Sequence, residues 1–292
     1  MREGRPRSFY VLAIFFAAYV LFLYGPMIAI YVLSFQGPQG GLTFPMNGVS
    51  TFWIAKLFQG TGIVDLGAAF RRSLLLGLVV MVLTVVLSVA AGMAFRRKFK
   101  AQGILFYSAI ASLIVPSIIT SLGISLEFRI IDDLIKAHWN ENFETSMGLL
   151  TSGLVAHLTW TLPFGLLIMF AIFNRFDPRL EEAARDLGAT PWQTFRHVVL
   201  PIILPSVIGI GLFGFTLSWD ELARSSQAIG AVNTLPLDLQ GLTTTVTNPD
   251  IYALGTVISA VSFTVIALAL GTIAMLNKRQ AAKGSDAGKG LV

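Results

Sequence analysis

Two groups of acidic residues stand out in a 292-residue chain of which only 13% is charged. Glu181, Glu182 and Asp186 are set among Ala183, Ala184 and Gly188, and Asp220 and Glu221 directly follow Trp219. Neither group has the make-up of a catalytic centre. There is no cysteine, and His138, His157 and His197 are far apart, which argues against thiolate chemistry and histidine-rich metal sites. No G-x-x-x-x-G-K-S/T stretch occurs, so the chain has no loop to cradle nucleotide phosphates. The H-E-x-x-H and G-x-S-x-G patterns of hydrolases are also missing. What remains is recognition. Two carboxylates beside an indole suit an amine cation, through charge and cation–π attraction. The plain alternative is a solvated pair at a membrane interface, with Trp219 as an aromatic anchor. His157, Trp160 and Pro163 form a second candidate lining for a pathway, although packing is the better account of them.

The first acidic group lies in a stretch with strong local signals, Asn174 to Pro205. Asp177 is placed to cap a helix that begins with Pro178, where a missing N–H leaves nothing unsatisfied. Leu180, Ala183, Ala184 and Leu187 fall at helical spacing and make a narrow apolar stripe with small residues at its centre. Gly188 stands where a helix ends in a left-handed residue. Thr190 and Gln193 have the spacing of a capping box for a second helix, and Pro201 and Pro205 mark entry into the next apolar segment. Such a compact helix is built either to dock into a cleft of another protein or to lie on a membrane surface. In the docked case, Glu181, Glu182, Arg185 and Asp186 supply the polar contacts that fix its register.

These groups are carried by a hydrophobic frame. Residues of the apolar set make up 54% of the chain, and mean hydropathy is +0.72. Six apolar segments are each long enough to cross a bilayer: Phe9–Phe35, Ser73–Phe95, Ile104–Ile124, Met147–Phe173, Ile202–Leu222 and Ile251–Leu276. The first is too long for a signal-peptide core and reads as a retained helix, tilted or kinked at Pro26. Fifteen of the 21 lysines and arginines fall on one side of this arrangement, including Arg96, Arg97, Lys98, Lys100, Arg175, Arg179, Arg185 and Arg196. The bias predicts cytoplasmic N and C termini, as an even number of spans requires. It also accounts for the net charge of +5 without nucleic acid. The expected fold class is therefore an all-α integral membrane protein with six transmembrane helices. Residues 1–276 form one transmembrane domain, and 277–292 form a small, polar, disordered cytoplasmic tail. The outer loop Ser125–Ser146 has room for a short helix.

Glu182-Ala183-Ala184, Gly188 four positions later, and Val198-Val199-Leu200-Pro201 together resemble the EAA loop of binding-protein-dependent ABC importer permeases, with Val198 in a position where that pattern has isoleucine. The Leu23–Phe35 segment, the stretch from Arg71, and FTLSWDEL followed by NTLPLDL resemble the second permease of spermidine/putrescine importers. The resemblance implies the type I importer permease fold in a bacterial inner membrane. It also implies that loop 174–201 acts as a coupling helix, with Glu181, Glu182, Ala183, Ala184, Asp186 and Gly188 as the ATPase-coupling residues. ATP and magnesium would then belong to a partner ATPase, present in two copies, and this chain would bind no cofactor. A second, related permease subunit, a periplasmic or lipid-anchored solute-binding protein and membrane lipids complete the implied partners. The solute could be a polyamine, an opine or other small organic solute, thiamine or ferric iron. An ion-coupled secondary transporter is the rival class. It normally places ionisable residues near the midplane of several spans. Here the spans hold only His157 and the terminal Asp220–Glu221 pair.

Overall fold

The computed structural model describes residues 6–59, 65–245 and 249–287, and every regular element among them is helical. The chain divides into two compact units, Met1–Gly67 with Leu239–Val261, and Ala68–Asp238 with Ser262–Val292.

The first unit holds helix α1 (Arg7–Leu33), with Pro26 inside it, and the short helix α2 (Phe52–Phe58). The loop joining them is organised by the buried Gln36. Its Nε2 donates to the Gly41 carbonyl at 3.1 Å, and its Oε1 accepts the Asn47 N–H at 2.8 Å. Trp53 Nε1 donates to the Gly37 carbonyl at 3.2 Å, and Lys56 pairs with Asp250 at 3.1 Å.

The second unit is built on α3 (Leu66–Phe95), α6 (Ser152–Phe173) and α9 (Leu200–Trp219), whose centres pack together. The buried positions of α3 run Ala69, Ser73, Leu76, Gly77, Val80, Thr84, Ser88 and Gly92, a seam of mostly small residues three or four apart. Lipid is as apolar as a leucine side chain, so helices here gain from close backbone approach and shared hydrogen bonds rather than from burying bulk. Thr84 and Thr161 share a buried hydrogen bond of 2.7 Å across the α3–α6 contact. A Cβ at Gly165 would collide with Ser88 Oγ. Gly214 gives α9 a similar approach to Thr84 and Met81, and Gly211 lies against Met81 and Val85. Gly209, in the same run of glycines, faces open space. Met169, Val199, Ile203 and Ile210 complete the core on the side toward the loop containing Gly188.

Among the described residues, five helices are long and apolar enough to cross a membrane: Arg7–Leu33, Leu66–Phe95, Ser152–Phe173, Pro191–Trp219 and Asp250–Leu276. The expected third span, Ile104–Ile124, is not a single helix. It is divided into α4 (Gln102–Ala111) and α5 (Ser117–His138). Pro116 has no N–H to continue a helix and pushes Val115 out of the helical region. Ser112 Oγ, at the break, lies 2.7 Å from both the Ala109 and the Thr159 carbonyls. α5 then continues to His138, so much of the expected outer loop is helix, with charged Glu127, Arg129, Asp132, Asp133 and Lys136 along it.

The expected disordered tail also needs correction. Helix α12 (Asp250–Ala287) runs on past Asn277. Lengthening an existing helix avoids the cost of nucleation, and the sequence from Lys278 is rich in good helix formers. Residues 288–292 lie outside the described residues.

The α3–α6 seam makes a direct prediction. Gly165→Leu leaves the added side chain no space against Ser88 and should cost about 1–3 kcal/mol or more by overpacking. The purified protein in detergent should melt several degrees lower, whereas Gly209→Leu, with open space around it, should melt as the wild type does.

Candidate functional site

The loop after α6 forms helix α7 (Arg179–Asp186), a turn, helix α8 (Pro191–Thr194) and a wider π-turn (Phe195–Val199) leading into α9. Asp177 Oδ1 accepts the Arg179 N–H at 3.0 Å and so caps the start of α7. Gly188 ends the helix at φ +85°, where a side chain would be strained. The Gly188 N–H reaches the Arg185 carbonyl at 2.8 Å and the Ala189 N–H reaches that of Ala184 at 3.0 Å, the paired bonds of a Schellman ending. Thr190 and Gln193 close their capping box reciprocally, at 3.3 and 2.8 Å. The π-turn was not legible in the sequence. Pro201 would crowd the carbonyl of His197 four residues back, and a wider turn relieves that contact.

The two sides of α7 differ sharply. Ala183, Glu182, Asp186 and Leu187 face solvent, and Leu187 is 90% exposed. Leu180 and Trp192 add further exposed apolar surface. Glu181 alone turns inward, and Ala184 is half-buried. Arg96, one residue beyond α3, donates from Nη1 and Nη2 to Glu181 Oε1 and Oε2 at 2.9 and 2.7 Å. The guanidinium also lies 5.0 Å from the ring centres of both Phe173 and Phe176. The hydrogen bonds from Arg96 hold the Glu181 carboxyl below the ordinary carboxylate range, against the opposing effect of burial. Arg96 had drawn attention in the sequence only as one of a basic run.

The second candidate group lies at the other end of α9. Trp219 does not stand at an interface as an anchor. It is fully buried, stacked on Phe215 with centroids 5.6 Å apart and in edge contact with Phe70 at the same distance. Asp220 is exposed at the helix end. Glu221 is half-buried and already has a cation, since its carboxylate pairs with Arg224 at 3.4 Å and accepts the Arg224 N–H at 2.9 Å. Arg224 is 1% exposed. It lies 4.6 Å from the ring centre of Trp160 and donates to Ser117 Oγ at 2.9 Å, while its carbonyl accepts from Ser121 Oγ at 2.6 Å. The structure thus brings Trp160 and Glu221 together around Arg224, a residue with nothing in its local sequence to mark it. Asp220 is left as the open carboxylate. His157 is buried, with its two ring nitrogens hydrogen-bonded to Ser218 and Ser225 at 2.8 and 2.9 Å, and Pro163 is buried as well. Both belong to the packing of α6 against α9 and the helical turn α10 (Ser225–Ala228).

Residues 84–280 match the family described as "Binding-protein-dependent transport system inner membrane component". The chain is 28% identical over 257 residues to the spermidine/putrescine transport system permease protein PotC of Haemophilus influenzae, covering 88% of this chain and 93% of that one. It is 30% identical over 240 residues to the putrescine transport system permease protein PotI of Escherichia coli, covering 81% of each. Its fold is similar to a chain of a bacterial ABC transporter involved in the import of the acidic polysaccharide alginate. The TM-score is 0.61 at 14% identity, over 92% of this chain and 95% of the other. It is also similar to a chain of the MetNI methionine ABC transporter in an inward-facing form, with a TM-score of 0.53 at 19% identity over 72% of this chain and 95% of that one. The chain therefore belongs to the family of binding-protein-dependent transport system inner membrane components: it is a multi-pass permease subunit of a bacterial ABC importer, a transport protein and not an enzyme.

Proposed function

We propose that the chain forms part of the translocation pathway of an importer for a small organic cation of the polyamine type, driven by a separate ATPase that docks on α7. Two ATPase copies, a second permease subunit and a periplasmic or lipid-anchored binding protein complete the assembly in this reading. The chain crosses the membrane six times, with α4 and the start of α5 together making the sixth crossing, and both termini lie in the cytoplasm. The basic residues flanking the α3 end and α7 support that orientation.

The observation that carries coupling is the outward face of α7. A short helix exposing Ala183 and Leu187, flanked by Glu182 and Asp186 and closed by the left-handed Gly188, is shaped to enter a cleft at close range. Ala183 gives close contact, Glu182 and Asp186 give polar register, and Gly188 gives the turn. Glu181 and Ala184 hold the helix to its own chain. The cation reading is supported by the polyamine permeases among the relatives and by the open carboxylate of Asp220. One observation favours a second reading, a small solute that is not a cation, such as an opine: Arg224 already occupies the Trp160 face and the Glu221 carboxylate.

The test is uptake into proteoliposomes containing the permease pair and ATPase, supplied with binding protein and labelled putrescine or spermidine. ATP-dependent uptake of either amine supports the proposal. Uptake driven by a proton gradient without ATP overturns it.

Two substitutions refine the test. Gly188→Val puts a β-branched residue at positive φ and should lower ATP-driven uptake roughly tenfold, the factor set by about 1.4 kcal/mol of docking energy. Normal uptake and normal complex yield would remove α7 from the coupling step. Asp220→Asn should reduce amine uptake while leaving assembly intact. If uptake is unaffected, Asp220 is only a solvated interface residue and the second reading gains.

A further inference from the structure

The geometry points to the Arg96–Glu181 ion pair as the transmission strut of this permease, the connection through which displacement of α7 is delivered to α3. The inference rests on the reading of α7 as the docking helix. It assigns positioning roles to two residues, one of which, Arg96, lies outside the loop.

An eight-residue helix on a loop is poorly suited to push anything by itself. Apart from this ion pair, α7 packs chiefly against α8 and the π-turn, its own neighbours in sequence. Attachments of that kind let a short helix swing without moving the bundle. Arg96 and Glu181 change this. Two parallel hydrogen bonds, at 2.9 and 2.7 Å, fix orientation as well as distance, which a single contact cannot do. The guanidinium also lies near Phe173, the last residue of α6, and Phe176, on the stretch of chain leading to α7. Three segments are therefore pinned at one planar group. Glu181 is 9% exposed and turned away from the face that carries Leu187, so it remains attached when a partner covers that face.

The far end of α3 is equally well tied. Its 30 residues span about 45 Å. There, Phe70 meets the edge of Trp219, Arg72 Nε donates to the Asn233 carbonyl at 2.7 Å, and Ser73 Oγ accepts the Leu235 N–H at 2.8 Å. A shift imposed at Arg96 thus reaches the segments on either side of Asp220. A cavity of about 290 Å³ lies beside the strut, lined by Gly92, Phe95, Phe170 and Asn174 among others. The ends of α3 and α6 are themselves in direct contact, with Gly92 against Met169 and Phe173 and the Phe95 and Phe170 rings 5.3 Å apart, so the ion pair ties α7 to a junction that is already closely packed.

The experiment uses the full complex in proteoliposomes and reads transport per ATP hydrolysed, a ratio that a purely structural role would leave unchanged in the assembled fraction. Arg96→Ala and Glu181→Gln should each assemble and hydrolyse ATP, with the ratio down about fivefold or more, and the exchange Arg96→Glu with Glu181→Arg should recover it to within about twofold. Arg96→Lys, which keeps the charge but not the two-pronged geometry, should fall between. An unchanged ratio in both single variants overturns the inference, as does loss of the ATPase from the complex in both. The docking reading is checked separately with Leu187→Cys, the only cysteine in that chain. If it does not cross-link to the ATPase, the docking reading fails. If it cross-links and the ratio holds in the single variants, only the strut fails.

Discussion

Hydrocarbon is a solvent in which one apolar side chain gains little by touching another, and the α3–α6–α9 packing depends on that fact. Where a soluble core would fill the gap with leucine, these helices bring backbones close through serine, threonine and glycine. The Thr84–Thr161 hydrogen bond and the contact of Gly165 with Ser88 show the result. Many large apolar side chains are turned outward, while Leu76, Met169, Phe215 and Trp219 are among the few seated between the helices. The most apolar stretches of α1 and α12 bury none of their residues within the chain, a surface suited to lipid or to a second permease subunit.

The same constraint explains what the sequence could and could not reveal. Long apolar runs declare themselves because an uncharged stretch has few other uses, so α1, α3, α6, α9 and α12 were all legible. The third run was not, since hydropathy averages over Pro116 and treats α4 and the start of α5 as continuous. The tail beyond Asn277 looked disordered because its composition is polar, but a polar segment joined to a standing helix needs no core of its own to continue it. Local chemistry was read more reliably than extent. Asp177, Gly188, Thr190 and Gln193 each specify a backbone geometry through their own atoms, and each takes the role its type implies.

Partnerships across the sequence were the least legible part of both candidate sites. Arg96 and Glu181 lie 85 positions apart, and Trp160 and Arg224 are similarly remote, with nothing local to mark either pair. Periodicity placed Glu181 beside the apolar stripe, yet it is the one acidic residue of α7 that is buried. A charge in a nearly uncharged protein is stable only where a counter-charge or water reaches it, and burial at Arg224 is tolerated through Glu221, Ser117 and the Trp160 ring. Any permeating cation in this region would therefore meet a protein cation already seated among the groups that could receive it.

The wide turn at Phe195–Val199 has a consequence for how such a chain can vary. In that stretch the Leu200 N–H bonds to the carbonyl of Phe195, five positions back, so the turn stores one residue beyond the regular count. It behaves as an insertion absorbed without rotating α9. Val199, Ile203 and Ile210 keep their inward facing, while α7 upstream keeps its own. The two regions are thereby released from a common phase. The loop between α6 and α9 can gain or shed a residue here, and the membrane portion need not turn by the hundred or so degrees that a strict α-helix would demand.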